Sequence, residues 1–251
     1  MSPIILEEQG QVAVMRLNRG VINAISPEVV NDLSVKIAMV RSNSSGLVLT
    51  GGDKFFCIGF DIPKLLEMNQ SGMTDFFHDF NQAVMDLFTL PLPTACAIKG
   101  HAIAGGTILL LACDYRFASY QKALIGLNEI RLGVPTPYLA DMMLRQITGD
   151  QVASEILYLG EFMESVDAAK HGIISEVFPK EEVESKAIEK ISHISKFNLK
   201  AFAQTKANRA ELIRLRYEGN YRPKNQAFLE CWFSQATQKS LREAAEKSFG
   251  K

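Results

Sequence analysis

Short apolar segments alternate with helical segments along most of this chain. The apolar segments have the length of buried strands, and the helical segments show the spacing of helices with a buried face. Strand–helix alternation of this kind favours an α/β fold. We predict strands at residues 12–17, 46–50, 94–98, 114–118, 123–127 and 173–178, and helices at residues 27–40, 73–88 and 104–112, with helices dominating from about residue 137.

Length, charge and cysteine usage exclude several classes of protein. The 251 residues can form one α/β domain with an appendage or two domains. The 27 basic and 28 acidic residues give a net charge of −1, which argues against nucleic acid or a membrane surface as a partner. Cysteines without CxxC spacing, each in an apolar stretch, are typical of buried thiols in a reducing compartment; they are Cys57, Cys96, Cys113 and Cys231. No secretory signal or bilayer-length apolar stretch is visible, so we expect a cytoplasmic protein.

The C-terminal part of the chain differs in charge from the rest. From Lys196 onward there are twelve basic and five acidic residues, a net charge of +7, whereas the preceding residues carry a net charge of −8. We therefore predict a core at residues 1–196 and a helical C-terminal segment at residues 197–251. Its basic residues either form a solvated helical face, which we favour, or help to hold an anionic ligand.

Common cofactor and metal motifs are absent from the sequence. Gly100, Gly105 and Gly106 form GxxxxGG rather than the GxGxxG of dinucleotide-binding proteins, and neither GxxxxGK[ST] nor GxSxG occurs. The four histidines are scattered, without a cysteine or a carboxylate at the spacing of metal ligands. We therefore expect neither a metal nor a separate cofactor.

Two glycine-containing segments are hard to explain by packing alone. Residues 51–63 follow one predicted strand, and residues 100–107 lead from another into a helix that is apolar on all sides. Gly59, between large residues, indicates a positive φ or a close backbone approach, and Asp61 is placed to cap a short helix. Because the first N–H groups of a helix lack intrahelical acceptors, both segments suit a carbonyl oxygen that becomes an oxyanion.

Five segments, taken together, resemble the crotonase (enoyl-CoA hydratase/isomerase) superfamily in order and spacing. They are residues 18–25, 56–62, 100–107, 113–116 and 168–177. The resemblance implies a spiral of repeated ββα units with a C-terminal helical trimerisation region, assembled as a homotrimer or as a hexamer of two trimers. It also implies an acyl-CoA thioester as substrate, so that coenzyme A enters as part of the substrate.

The same resemblance implies roles for individual residues. The backbone N–H groups of Phe60 and Gly105 would form the oxyanion hole, with Gly106 as the alternative if the register is shifted by one. Ala24 would lie near the adenine end of the substrate, and Asn128 either shapes the backbone or faces the substrate. The full set of predicted substrate-binding residues is Ala24, Cys57, Ile58, Gly59, Asp61, Gly106, Ile108 and Asn128.

The number of carboxylates separates the branches of this superfamily. Its hydratases use two glutamates to hold and activate a water molecule, and at those two positions this chain has Ile108 and Glu129. One base can still carry a proton from C2 to C4 of a 3-enoyl thioester. Burial among Leu127, Ile130 and Ile108 should raise the pKa of Glu129. We therefore predict a Δ3,Δ2-enoyl-CoA isomerase with Glu129 as the catalytic base, and residues 126–129 and 132–138 also resemble that branch.

Other interpretations stay open at this point. A hydratase would need a further acid in the pocket, such as Asp141 or Glu155, and the chain could also be a non-catalytic acyl-CoA-binding member of the family. Dehalogenase, hydrolase and decarboxylase chemistry is also compatible, since a fold does not fix a function. Glu129 itself could be a loop residue paired with Arg131.

Two groups of charged residues receive simpler predictions. We expect Asp114 and Arg116 to form a structural ion pair without a chemical role. Basic residues of the C-terminal segment could meet the phosphates of coenzyme A, in the same subunit or in a neighbouring one. The candidates are Lys200, Lys206, Arg209, Arg214, Arg222 and Lys224.

Overall fold

The computed structural model describes residues 2–249 and, for residues 248 and 249, the backbone only. The strands in that range are β1 (Ile4–Gln9), β2 (Val12–Leu17), β3 (Gly46–Thr50), β4 (Phe55–Cys57), β5 (Thr94–Ile98), β6 (His101–Ile103), β7 (Tyr115–Ser119), β8 (Leu124–Gly126), β9 (Met163–Glu164) and β10 (Glu176–Phe178). The helices are α1 (Pro27–Asn43), α2 (Ile62–Leu66), α3 (Gln70–Phe88), α4 (Gly105–Leu111), α5 (Glu129–Leu132), α6 (Tyr138–Thr148), α7 (Asp150–Leu159), α8 (Ser165–Lys170), α9 (Val183–Ile194), α10 (Leu199–Trp232) and α11 (Gln235–Phe249). Within the described range no helix has the length and apolar character needed to cross a bilayer.

The strands form two sheets. The larger sheet has the order β1-β2-β3-β5-β7-β10, with β1 antiparallel to β2 and the other neighbours parallel. The smaller sheet has the order β4-β6-β8-β9, and only β9 is antiparallel to its neighbour. From β3 to β8, successive strands enter the two sheets alternately, and a helix follows each pair. The predicted α/β class and the succession of ββα units are therefore confirmed.

Strongly apolar segments have the bounds that the sequence predicts, and short or irregular ones do not. The strands β3 and β5 coincide with the predicted segments, and every residue of α4 is buried, as its composition predicts. The predicted strand at residues 173–178 shortens to β10, because the N–H groups of Ile173 and Ile174 donate to the carbonyl oxygen of Ala168 and close a turn after α8.

The larger sheet is covered on both of its faces. Val14 and Val48 pack with Ile191 of α9 on one face. Since side chains alternate along a strand, Met15 and Leu49 point the other way, into the main core. The strands are thus fixed from both sides, which also fixes the turns that follow them.

A buried ion pair attaches α10 to the sheet. Lys206 Nζ lies 2.7 Å from Asp114 Oδ2, and Arg209 Nη2 lies 2.8 Å from Asp114 Oδ1, at the start of β7. The side chains of Lys206 and Asp114 are 3% and 10% exposed, so each needs the other as a counter-charge. The helix begins at Leu199, close to the predicted boundary at residue 197, and the division into two parts stays a prediction.

The predicted Asp114–Arg116 ion pair is wrong. Arg116 donates instead to the carbonyl oxygens of Ile173 and Cys113, at 2.6 and 2.8 Å. The reason is that Asp114 is already occupied by the two cations of α10, while backbone carbonyls at the end of α4 and after α8 lack donors. Arg116 therefore closes a gap in the backbone hydrogen bonding.

Candidate active site

A cavity of about 200 Å³ lies at the N-terminal end of α4. The turn after β4 and the starts of α4 and α5 supply part of its wall, and α10 and α11 supply the rest. Among the described residues that line it, Glu129 has the only charged side chain. The remaining wall is mostly apolar, which is typical of a site for a small organic group with few polar contacts.

Hydrogen bonding on either side of Phe60 leaves its own N–H free. Ile25 N–H donates to the carbonyl oxygen of Gly59 at 2.8 Å, and Asp61 N–H donates to the carbonyl oxygen of Ile25 at 2.9 Å. Because N–H groups alternate between the two edges of an extended chain, the Phe60 N–H points away from Ile25. It has no acceptor among residues 2–249, and Phe60 lines the cavity.

Gly105 supplies a second free N–H at the same cavity. It is the first residue of α4, so its N–H has no acceptor within the helix. The preceding residue, Ala104, has φ +48°, which an L-residue rarely adopts, and its N–H donates to the carbonyl oxygen of Gly126 at 2.9 Å. This strained turn sets the direction of the first N–H groups of α4.

The two free amides lie on backbone segments in direct contact. A Cβ added at Gly59 would lie 3.1 Å from the backbone nitrogen of Gly105, and one added at Gly105 would lie 3.3 Å from the Cα of Gly59. Gly59 also has φ +98°, which favours glycine. The absence of a Cβ at both positions lets the two backbone segments approach closely, and the expected positive φ at Gly59 is confirmed.

Glu129 begins α5 and is buried against the same cavity. Glu129 is 6% exposed, and burial raises the pKa of its carboxyl group to about 7. Its Oε2 atom has no hydrogen-bond partner among the described residues. Arg131, the alternative partner, pairs with Glu161 at 2.8 Å and points away. The prediction of a raised pKa is confirmed, although Ile130 takes no part, since it is 49% exposed on the outer side of the helix.

Neither of the acids considered for a hydratase reaches this cavity. Asp141 pairs with Arg145 on the same helix at 3.1 Å, and Glu155 lines a separate surface cleft. Ile108 lines the cavity and is 1% exposed, so it contributes only apolar surface. Among residues for which side chains are described, no group of three or more His, Cys, Asp or Glu could hold a metal ion.

A family model described as "Enoyl-CoA hydratase/isomerase" matches residues 7–249. The chain belongs to the enoyl-CoA hydratase/isomerase family. The fold agrees: the solved structure of human mitochondrial delta3-delta2-enoyl-CoA isomerase superposes with a TM-score of 0.93 at 25% identity, covering 98% of this chain and 97% of that one.

Curated relatives in the enoyl-CoA hydratase/isomerase family include both activities. The mouse protein "Enoyl-CoA delta isomerase 1, mitochondrial" is 30% identical over 190 residues, 73% of this chain and 66% of that protein. The match thus spans slightly less than two thirds of the mouse protein's length. The "Short-chain-enoyl-CoA hydratase" of Clostridium acetobutylicum is 28% identical over 193 residues, 75% of this chain and 74% of that protein. Overall similarity therefore leaves both reactions open for this chain.

Six of the predicted site residues of this family member line the cavity: Ile58, Phe60, Gly105, Ile108, Asn128 and Glu129. Ala24, Cys57, Gly59, Asp61 and Gly106 are not among its lining residues. Three of these support the site from behind. Asp61 accepts a hydrogen bond from Lys64 N–H at 3.3 Å and caps α2 as predicted. Gly106 packs directly on the backbone of Cys57, since an added Cβ would lie 2.3 Å from the Cys57 carbonyl oxygen. The Cys57 thiol is buried, and burial raises its pKa to about 12.

The C-terminal wall of the cavity was not predicted from the sequence. Phe228 and Trp232 of α10 and Leu241 and Ala244 of α11 line it. The pairs are spaced by four and three residues in otherwise polar helices, the spacing of a short apolar stripe. That signal marks a buried face, but it does not say which part of the core the face covers.

Proposed function

We propose that this chain is an enoyl-CoA isomerase that moves the double bond of a 3-enoyl-CoA thioester to position 2. One observation carries the proposal: Glu129 is the only carboxylate among the described residues that line the cavity. Adding water requires one group to activate the water and another to protonate carbon, whereas moving a proton between two carbons needs a single group. Ile108, at the position of the other hydratase glutamate, offers neither.

The proposed reaction uses one base and two backbone donors. Glu129 takes a proton from C2, and the electron pair of that C–H bond moves into the thioester, whose oxygen becomes negative. The N–H groups of Phe60 and Gly105 donate to this oxygen and stabilise the dienolate. Glu129 then returns the same proton to C4, and the double bond forms between C2 and C3.

The environment of Glu129 supports this role. A pKa of about 7 suits a group that must both accept and release a proton near neutral pH. Its partnerless Oε2 needs no bond to be broken before it accepts the proton. The apolar walls exclude bulk water, so the proton stays with the carboxyl group between the two steps.

Two substrates and one variant test the proposal. We expect the chain to convert 3-hexenoyl-CoA to 2-hexenoyl-CoA. Hydration of crotonyl-CoA should be slower than this isomerisation by about 100-fold or more, because the cavity wall lacks a second acid. Glu129→Gln keeps the shape of the side chain but cannot take the proton, so kcat should fall by about 10²–10⁴-fold with CoA-ester binding retained. The matched control is Glu155→Gln, which removes a carboxylate outside the cavity and should leave kcat unchanged. Strong hydration without double-bond migration would contradict the proposal.

Hydratase activity is the second candidate, since the Clostridium hydratase is nearly as similar as the mouse isomerase. It requires an acid from outside the described cavity wall to approach the substrate. A non-catalytic acyl-CoA-binding role would appear as tight binding of CoA esters with no turnover of either substrate.

We further propose a homotrimer, or a hexamer of two trimers, in the cytoplasm. Three of the predicted phosphate-binding residues already have carboxylate partners within the chain: Lys206 and Arg209 bind Asp114, and Arg214 binds Glu218. The proposed contacts with the CoA phosphates therefore fall on the exposed Lys200, Arg222 and Lys224.

A further inference from the structure

Buried polar atoms without a partner are concentrated at the cavity. Among the described side chains, three buried nitrogen or oxygen atoms have no hydrogen-bond partner: Asn128 Oδ1, Glu129 Oε2 and Trp232 Nε1. All three belong to residues that line this cavity. Buried polar atoms are otherwise almost always paired, so their clustering indicates that the occupant of the cavity supplies the partners. Proton transfer accounts for Glu129 but uses neither Trp232 nor Asn128.

The Trp232 ring is held firmly, so its N–H cannot turn away to find another acceptor. The residue is 2% exposed and lies in the last turn of α10. Its ring stacks on Phe228 with centroids 6.1 Å apart, and Phe228 stacks on Phe77 of α3 with centroids 3.9 Å apart. The backbone carbonyl of Trp232 accepts a hydrogen bond from the Gln238 side chain at 2.8 Å.

An indole N–H is only a donor, and a buried one normally has an acceptor. A phenylalanine or leucine side chain here would also supply apolar surface for a hydrocarbon chain, and neither would bring an unpaired donor. A tryptophan at this position therefore brings a donor that requires an acceptor, and Trp232 is one of the residues that line the cavity.

We propose that Trp232 is a specificity-determining residue whose Nε1–H binds an oxygen atom on the acyl chain, beyond the carbons between which the double bond moves. The preferred substrates are then acyl-CoA esters whose chain carries a hydroxyl or keto oxygen. Asn128 Oδ1, an acceptor, adds a contact for a hydroxyl group but not for a ketone. This inference rests on the proposed function, since it takes the cavity to hold the acyl part of a CoA thioester.

Matched substrates test the inference. Each pair consists of a plain 3-enoyl-CoA and the same chain with one hydroxyl or keto oxygen, placed in turn at each carbon from C5 onward. For at least one position, kcat/KM of the native chain should be about 10-fold higher for the oxygenated ester than for the plain one. In Trp232→Phe that ratio should fall to about one, whatever the absolute rates. A native preference for plain chains at every position would overturn the proposal, as would a preference that survives in Trp232→Phe.

A second measurement depends neither on turnover nor on a variant that folds. Trp232 is the single tryptophan of the chain, so ¹⁵N labelling of tryptophan gives one indole N–H signal. Saturated acyl-CoA esters with the preferred oxygen should move its proton signal downfield, and the plain esters should not. If the indole proton signal is equally far downfield in the free protein and with both esters, the N–H already has an acceptor within the protein. That result would overturn the inference.

The two proposals fail separately. If 3-enoyl-CoA is isomerised but neither the ratio nor the indole signal responds to the oxygen, the inference falls and the proposed function stands. If no ester is isomerised but oxygenated esters still shift the indole signal, the proposed isomerase activity is contradicted and the proposed Trp232 contact is supported.

Discussion

The burial of Glu129, the proposed catalytic base, has a cost to stability. Burial raises the pKa of its carboxyl group from 4.5 to about 7. In the unfolded chain the group ionises near its ordinary value, so the folded state is penalised once the pH exceeds about 4.5, and the penalty is complete above about 7. A polar residue at this position would avoid that cost. The proposed role as a base would account for a carboxylate in an apolar wall in spite of that cost.

The pH dependence of activity follows from the same pKa. In the proposed reaction the ionised form of Glu129 takes the proton from C2, so kcat/KM for 3-hexenoyl-CoA should rise about tenfold per pH unit below pH 7 and level off above it. The check is a pH profile between pH 5 and pH 9 with circular dichroism recorded at each pH as a control for unfolding. A profile that is flat through pH 7 would remove Glu129 from the role of base.

Gly59 has a conformational and a steric requirement that no other residue meets. At φ +98° an added Cβ would lie 3.0 Å from the Cβ of Ala104 and 3.1 Å from the nitrogen of Gly105. Gly59→Ala should therefore displace the Phe60 and Gly105 amides and lower kcat by about 10²–10³-fold, the usual loss for one oxyanion donor. The control is Gly219→Ala on α10, where an added Cβ has nothing within 4 Å. The measurement is the steady-state kinetics of both variants. Equal rates for Gly59→Ala and the native chain would contradict the proposed role of the two amides.

At the scale of elements, α10 is joined to the sheet by a charge contact that only the folded structure reveals. Lys206 and Asp114 are 92 positions apart in the sequence, and their pairing leaves Arg116 to bind backbone carbonyls. Burial lowers the pKa of Lys206, and the nearby Asp114 carboxylate opposes that change. Removing the carboxylate would leave a buried, uncompensated ammonium group.

Asp114→Asn should therefore destabilise the fold by about 3–5 kcal/mol without touching the cavity. Chemical denaturation measures the free energy of unfolding. The control is Arg214→Gln, which breaks an exposed pair with Glu218 on the same helix and should change stability by less than about 0.5 kcal/mol. Equal effects of the two substitutions would mean that the buried pair contributes no more than a surface one.

Elements with a strong local signal could be predicted, and elements defined by long-range contacts could not. The apolar runs of β3 and β5 are flanked by glycine or proline, so their bounds followed from composition. The three-residue strands β4 and β6 are too short to show a period, yet they carry the turns that present Phe60 and Gly105. The identity of those two residues and of Glu129 came from the family resemblance, not from periodicity.

At the scale of the whole molecule, the cavity is assembled from distant parts of the chain. Phe60, Gly105 and Glu129 come from the ββα units, while Trp232 and Leu241 come from the last two helices. Helix periodicity could indicate that the C-terminal helices bury a face, but their position over the site depends on tertiary packing. The sequence therefore predicted the lining residues of the ββα units better than those of the C-terminal helices.

The outer side of α10 presents large apolar side chains. Leu212 and Leu215 are 68% and 52% exposed, and Phe197 just before the helix is 57% exposed. Such side chains on a helical segment support the proposed assembly. Sedimentation equilibrium should give three or six times the chain mass of 27.9 kDa. A mass of one chain at micromolar concentration would contradict the proposal.

The position of α11 in the chain has a consequence for biosynthesis. A ribosome makes Gly59, Gly105 and Glu129 long before it makes Leu241 and Ala244, which complete the cavity wall. In a nascent chain that lacks α11, the cavity wall is therefore incomplete on that side. Because α11 also packs against α2 and α5, the helix that begins with Glu129 gains this neighbour only after α11 has been made.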